Sequence, residues 1–137
     1  MAGGGPFLFV YGTLRLASEV PAARLLKRLA DYQGQALIQG RLYDLGRYPG
    51  VICTPDPAEQ VVGDLFQLRE PETVLQALDI YEECSDTDPK PHLYVRREVR
   101  ALPRSGGELT AWTYLFNRDV TPYRAIPSGD YLSFLKT

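Results

Sequence analysis

The sequence predicts an α+β domain, a small mixed β-barrel-like sheet with flanking helices, and three observations carry that expectation. Segments that read as strands outnumber those that read as helices. The helices fall singly between groups of strands, which argues against a doubly wound parallel sheet. The length of 137 residues suits one hydrophobic core and needs no second module.

Met1-Ala-Gly-Gly-Gly-Pro6 has no basic residue and no long apolar run behind it, so residues 1–6 read as a flexible tail and 7–137 as the domain. Phe7–Tyr11 is continuously apolar and aromatic, as expected of a strand buried on both faces. Gly12-Thr13 stops it. Pro21 suits the first position of a helix over Ala22–Ala30, with Leu25, Leu26 and Leu29 as its buried stripe. Ala36–Leu45 is extended, with Gly40 as a bulge or point of close approach. Gly46–Gly50 has turn composition, and Val51–Cys53 reads as a short strand.

Val61–Leu68 is a strand with Gly63 inside it. Pro71 opens a helix that runs to about Glu83, and the prolines of Ser85–Pro91 impose a loop. Leu93–Leu102 alternates, with Val95, Val99 and Ala101 on one side and Tyr94, Arg96, Glu98 and Arg100 on the other. Ser105-Gly-Gly107 turns it into Leu109–Phe116, giving an antiparallel hairpin on which Trp112, Tyr114 and Phe116 share a face. A short helix from about Gly129 to Leu135 closes the chain.

The totals exclude several functions. Apolar residues make up 45% and charged residues 23%, which is ordinary for a globular protein. A formal charge of −2 gives no reason to expect nucleic acid or an anionic membrane as partner. No apolar stretch approaches the roughly 18 residues of a spanning helix, so a cytoplasmic protein is expected. Cys53 and Cys84 lack metal-site spacing and read as thiols rather than a disulfide. With His92 the single histidine, zinc sites of several His or Cys ligands are disfavoured. A Cys84–His92 or Ser–His92 pair is weighed and set aside, because His92 lies in the proline-rich loop.

The helix after Pro71 carries the sharpest chemical signal. Val74, Leu75, Leu78 and Tyr81 form an apolar stripe, and Glu82 falls at its edge, four residues after Leu78. Glu83 stacks instead with Gln76 and Asp79 on the polar side. A carboxylate at a core margin loses solvation, which raises its pKa and fits it for general acid/base work near neutral pH. The competing reading is a glutamate that snorkels to water or pairs with an arginine of the Arg96–Arg100 strand. The second signal is Tyr11-Gly-Thr-Leu-Arg15. A strand that stops at glycine leaves successive amides without ladder partners, a nest for a carboxylate or oxyanion, or merely a strand-ending turn. The spacing is not that of a phosphate loop.

Taken together, Tyr11-Gly-Thr-Leu-Arg15, Leu42-Tyr-Asp-Leu-Gly46 with Tyr48-Pro-Gly50, Val62-Gly-Asp-Leu-Phe66 and Leu78-Asp-Ile-Tyr-Glu82 resemble blocks of one family. Tyr94-Val-Arg96, Trp112-Thr-Tyr114 and Ile126-Pro-Ser-Gly-Asp-Tyr131 complete their order. The chain resembles the gamma-glutamylcyclotransferase-like family, and its Gly-Thr-Leu form is most similar to the gamma-glutamylamine cyclotransferase branch and small bacterial relatives. That resemblance implies a barrel with a cavity at its mouth, and release of 5-oxoproline and an amine or amino acid from a gamma-glutamyl compound. It implies Glu82 as the catalytic group. It places Tyr11, Gly12, Thr13, Leu14, Arg15 and Tyr114 around the substrate, with the amides of Gly12–Leu14 on its carboxylate or oxyanion.

No metal or organic cofactor is implied, and a monomer or weak dimer is expected. The alternative is a non-catalytic small-acid-binding or interaction domain of the same fold. One departure stands out: Glu83–His92 is longer than the resemblance leads one to expect. With Asp86 and Asp88 it would make an acidic lip suited to a cationic leaving amine.

Overall fold

Alternating apolar residues along five strands close a barrel. The computed structural model describes residues 5–12, 14–15, 20–84, 90 and 92–136. Its elements are β1 (Phe7–Val10), α1 (Pro21–Leu29), β2 (Ala30–Gln39), β3 (Arg41–Asp44), β4 (Pro49–Ile52), β5 (Gln60–Leu68), α2 (Pro71–Tyr81), β6 (Tyr94–Pro103), β7 (Leu109–Phe116), β8 (Arg124–Ala125) and α3 (Tyr131–Leu135). The barrel runs β1-β5-β2-β6-β7, and β4-β3-β8 form a separate small sheet. Every barrel pairing is antiparallel except the closing one, where Phe7 and Leu8 of β1 lie parallel to Ala111 and Trp112 of β7. The expected mixed barrel with flanking helices is therefore the observed architecture.

The period of two sorts the core into two layers. Phe9, Ala36, Ile38, Val61, Leu65, Ala101, Ala111 and Leu115 pack together, joined by Tyr131 and Phe134 from α3. Leu8, Val10, Phe66, Tyr94, Tyr114 and Phe116 face the other way, against Leu26 of α1 and Val74 and Leu78 of α2. β1 thus buries both faces, as its unbroken apolar run requires.

Pro21 opens α1 as expected, and Lys27 and Arg28 in the last turn complement its negative end. Leu26 is buried, whereas Leu25 and Leu29 are half-buried and Ala30 already begins β2. The chain passes from helix to strand with no loop, so β2 starts well before Ala36. Gly40 lies between β2 and β3 at a point of close approach, where a Cβ would lie 2.9 Å from Val51 Cγ1. The predicted turn shortens as well, with Pro49 and Gly50 already in β4. The expected tail is described only at its end, where Pro6 O accepts from Leu68 N at 2.8 Å and Gly5 O accepts from Gln67 Nε2.

Gly63 allows β1 and β5 their close approach. A Cβ there would stand 2.4 Å from Val10 O and 2.5 Å from Phe9 Cζ. Gly63→Ala is expected to lower stability by about 2 kcal/mol or more, because a backbone carbonyl and a packed ring cannot yield cheaply. Urea denaturation checks this; a change below experimental error would show that the strands separate freely.

Candidate active site

A cavity of about 260 Å³ opens where the end of β1, the start of β4 and the end of α2 converge. Tyr11, Gly12 and Leu14 form one wall, Tyr48 and Pro49 another, and Glu82 enters from α2. Tyr94 and Tyr114 from the β6–β7 hairpin also line it. It is an aromatic pocket with one inward carboxylate.

The phenols are held in place. Tyr11 Oη donates to Tyr114 O at 2.5 Å, Tyr94 Oη to Pro49 O at 2.7 Å, and Tyr114 Oη to Asp79 Oδ1 at 2.7 Å. Burial pushes all three phenol pKa values up, and the Glu82 charge adds to this at Tyr11 and Tyr94. At neutral pH they are neutral, oriented dipoles and not bases.

Glu82 follows the last residue of α2, one position beyond the helix boundary, and its amide still donates to Leu78 O at 2.8 Å. The residue keeps some surface, but its carboxyl loses most of its water. That desolvation, with the neighbouring Glu83 charge, raises its pKa from 4.5 to about 7. No ion pair joins it to an arginine among the described residues. Arg96 goes to Asp79, at 2.8 Å and 3.1 Å, and Arg100 goes to Glu108. The structural ion pair weighed against a chemical role for Glu82 thus forms one turn away.

Of the residues expected around the substrate, Tyr11, Gly12, Leu14 and Tyr114 come together in the cavity wall. Thr13 lies outside the described residues. Gly12 has little choice of residue, because a Cβ would lie 2.7 Å from Pro49 Cγ. The Arg15 amide closes a turn on Gly12 O at 3.1 Å, while those of Gly12 and Leu14 have no acceptor among the described residues. The Arg15 side chain points elsewhere. It is buried and contacts Asp64 at 3.5 Å and Asp130, the residue that caps α3, at 3.1 Å. It ties the loop after β1 to β5 and α3.

Two further expectations change in the structure. Tyr81, placed in the buried stripe, is 41% exposed, because the last turn of α2 borders the cavity and not a neighbouring element. Asp79, placed on the water-facing side, joins Arg96 and Tyr114, and the Arg96 guanidinium lies 4.7 Å from the Trp112 ring centroid. Helical period reports distance from the core but not what an adjoining strand presents. Tyr94 and Tyr48 were visible only as parts of motifs, yet both line the cavity.

The cysteines form no disulfide; Cys84 Sγ is directed to Asp79 Oδ1 at 3.9 Å. Among the described residues, His92 Nε2 is buried without a hydrogen-bond partner. Among the described residues no group of three His, Cys, Asp or Glu side chains is arranged to hold a metal, and no helix is long and apolar enough to cross a membrane. The lip residues Asp86 and Asp88 lie outside the described residues.

Residues 8–133 match the family described as gamma-glutamyl cyclotransferase, AIG2-like. The chain belongs to this family. It is 36% identical over 115 residues to the gamma-L-glutamyl-butirosin B gamma-glutamyl cyclotransferase of Niallia circulans, covering 83% of this chain and 69% of that one. Its fold is similar to that of YkqA from Bacillus subtilis, with a TM-score of 0.69 and 25% identity over 91% of this chain and 39% of YkqA. It is also similar to that of an AIG2-like protein from Mus musculus, with a TM-score of 0.70 and 20% identity over 88% and 83% of the two chains. As a member of the AIG2-like gamma-glutamyl cyclotransferase family, the chain is of an enzyme class acting on gamma-glutamyl small molecules.

Arg15→Met should destabilise the fold by about 3 kcal/mol, since it leaves Asp64 buried without its cation. Thermal unfolding tests this. Unchanged stability with weakened substrate binding would return Arg15 to the substrate contacts.

Proposed function

We propose that this chain cyclises gamma-glutamyl amines or gamma-glutamyl amino acids to 5-oxoproline, with Glu82 as the general acid/base. The observation that carries the reading is the pairing of a desolvated Glu82, of pKa about 7, with a cavity walled by fixed tyrosines. The substrate's α-amine attacks its own γ-carbonyl. Glu82 takes the proton that the amine sheds and returns one to the departing nitrogen as the old amide bond breaks. Both reacting groups belong to one molecule, so holding it folded supplies much of the rate and the chemistry calls for no metal or organic cofactor. The amides of Gly12 and Leu14, which have no acceptor among the described residues, receive the substrate carboxylate or the oxygen that gains charge, as does that of Thr13. Tyr11 and Tyr114 fix the chain that closes. The protein acts as a monomer or weak dimer in the cytoplasm.

Glu82→Gln should remain folded and bind substrate while losing at least about a hundredfold in kcat. A panel of gamma-glutamyl amino acids, gamma-glutamyl-ε-lysine and gamma-glutamyl polyamines, assayed for 5-oxoproline, tests this. Retained turnover removes Glu82 from the chemistry, and no release by the native protein from the whole panel favours a binding domain of the same fold.

The pKa of Glu82 has two further consequences. The acidic limb of kcat/KM should fall near pH 7, where the base form appears. Stability should show the same group with the opposite trend. A carboxyl raised from 4.5 to about 7 holds its proton more tightly in the native state, so its stabilising effect is full below pH 4.5 and lost as pH rises through 7. Relative to Glu82→Gln, the native protein should lose about 1–2 kcal/mol between pH 4 and 8, allowing for the water that reaches this site. Denaturant unfolding at both pH values measures it; parallel curves would mean an ordinary solvated carboxylate.

A further inference from the structure

The end of α2 holds Glu83 against three physical preferences. Cys84 N donates to Asp79 O at 2.9 Å and Glu83 N to Ile80 O at 3.1 Å, the paired bonds of a Schellman end. That motif puts its turning residue in the left-handed region, and Glu83 has φ +58°, the one non-glycine with positive φ among the described residues. Glycine would serve there without the steric cost of a Cβ. A carboxylate at a helix C-terminus also meets the negative end of the dipole, and the last turn of α2 has no basic residue. Finally, its neighbour in sequence is another glutamate. No ion pair to Glu83 offsets these costs among the described residues.

A side chain that folding disfavours on three counts points to a role in the site it borders. Glu83 is exposed and lines the cavity. So do the Tyr48 ring, 38% exposed, and the Tyr81 ring, 41% exposed. Tyr11, Tyr94 and Tyr114 on the inner side are buried. The open side of the cavity is therefore acidic and aromatic, a combination that attracts an ammonium group by charge and through the ring faces. With the gamma-glutamyl half taken inward to Glu82, the leaving amine extends toward this open side.

We propose that Glu83 selects gamma-glutamyl substrates whose leaving amine carries a second, positively charged nitrogen, held between the carboxylate and the Tyr48 and Tyr81 rings. This selection rests on the cyclotransferase reading of the site for its substrate class, but it is a binding preference and is measured without turnover.

The test compares two amides of nearly equal size, gamma-glutamyl-putrescine and gamma-glutamyl-pentylamine, which differ in the terminal ammonium and share the glutamyl α-ammonium. Calorimetry on Glu82→Gln should show the putrescine amide bound about two- to fivefold tighter at low salt, the range expected of an exposed charge pair. Adding Glu83→Gln should bring the ratio to about one. Glu83→Gly in the same background should do likewise with a raised Tm, because glycine suits the left-handed backbone, so a poorly folding Gln variant would not spoil the comparison. Equal affinities in Glu82→Gln, no binding of either amide, or a ratio that survives both substitutions would overturn the proposal. Native protein that shows the ratio but releases no 5-oxoproline would uphold the role of Glu83 and remove the cyclotransferase reading alone.

Discussion

β1 and β7 run parallel over Phe7–Leu8 and Ala111–Trp112, and this short pairing closes the barrel. Because the strands meet there in fixed register, Tyr11 just past the end of β1 reaches the Tyr114 carbonyl of β7, and Thr113 Oγ1 donates to Phe9 O at 2.9 Å. The loop after β1 is thereby set against Pro49, and Gly12 is confined by the ring it touches. One wall of the cavity follows directly from barrel closure. Without it, the amides of Gly12 and Leu14 would have no fixed relation to α2.

The other wall depends on how charges are shared out. Arg96 is committed to Asp79, and the same carboxylate accepts from Tyr114, so α2 is latched to both strands of the hairpin one turn before its end. Glu82, only three residues on, has no such partner among the described residues and meets low-dielectric surroundings instead. Two carboxylates on one short helix therefore differ in kind. Asp79 is taken up by Arg96 and Tyr114, whereas Glu82 shifts toward the protonated form at neutral pH. Arg15 shows the same economy across the site, where its cation sits between Asp64 and Asp130 and joins the loop, β5 and α3.

Much of this was legible along the chain. Continuous apolar sequence at Phe7–Tyr11, alternation at Leu93–Leu102 and Pro71 at a helix start each encode a local preference that the fold obeys. The inward lean of Glu82 follows from its spacing to Leu78, which puts it on the same side of the helix. Less legible were the ends of elements. The passage from α1 straight into β2 at Ala30 and the entry of Pro49 into β4 depend on strand partners that lie far off in sequence.

What the sequence determined by itself was therefore class, order of elements and the candidate glutamate, because these rest on neighbours within a few residues. Only the tertiary structure decided which arginine pairs with which acid, which way Arg15 points, and that Glu83 and Tyr81 border the cavity. Those outcomes are set by elements that approach from 17 to 115 positions away, and no local pattern records the charge or space that they bring.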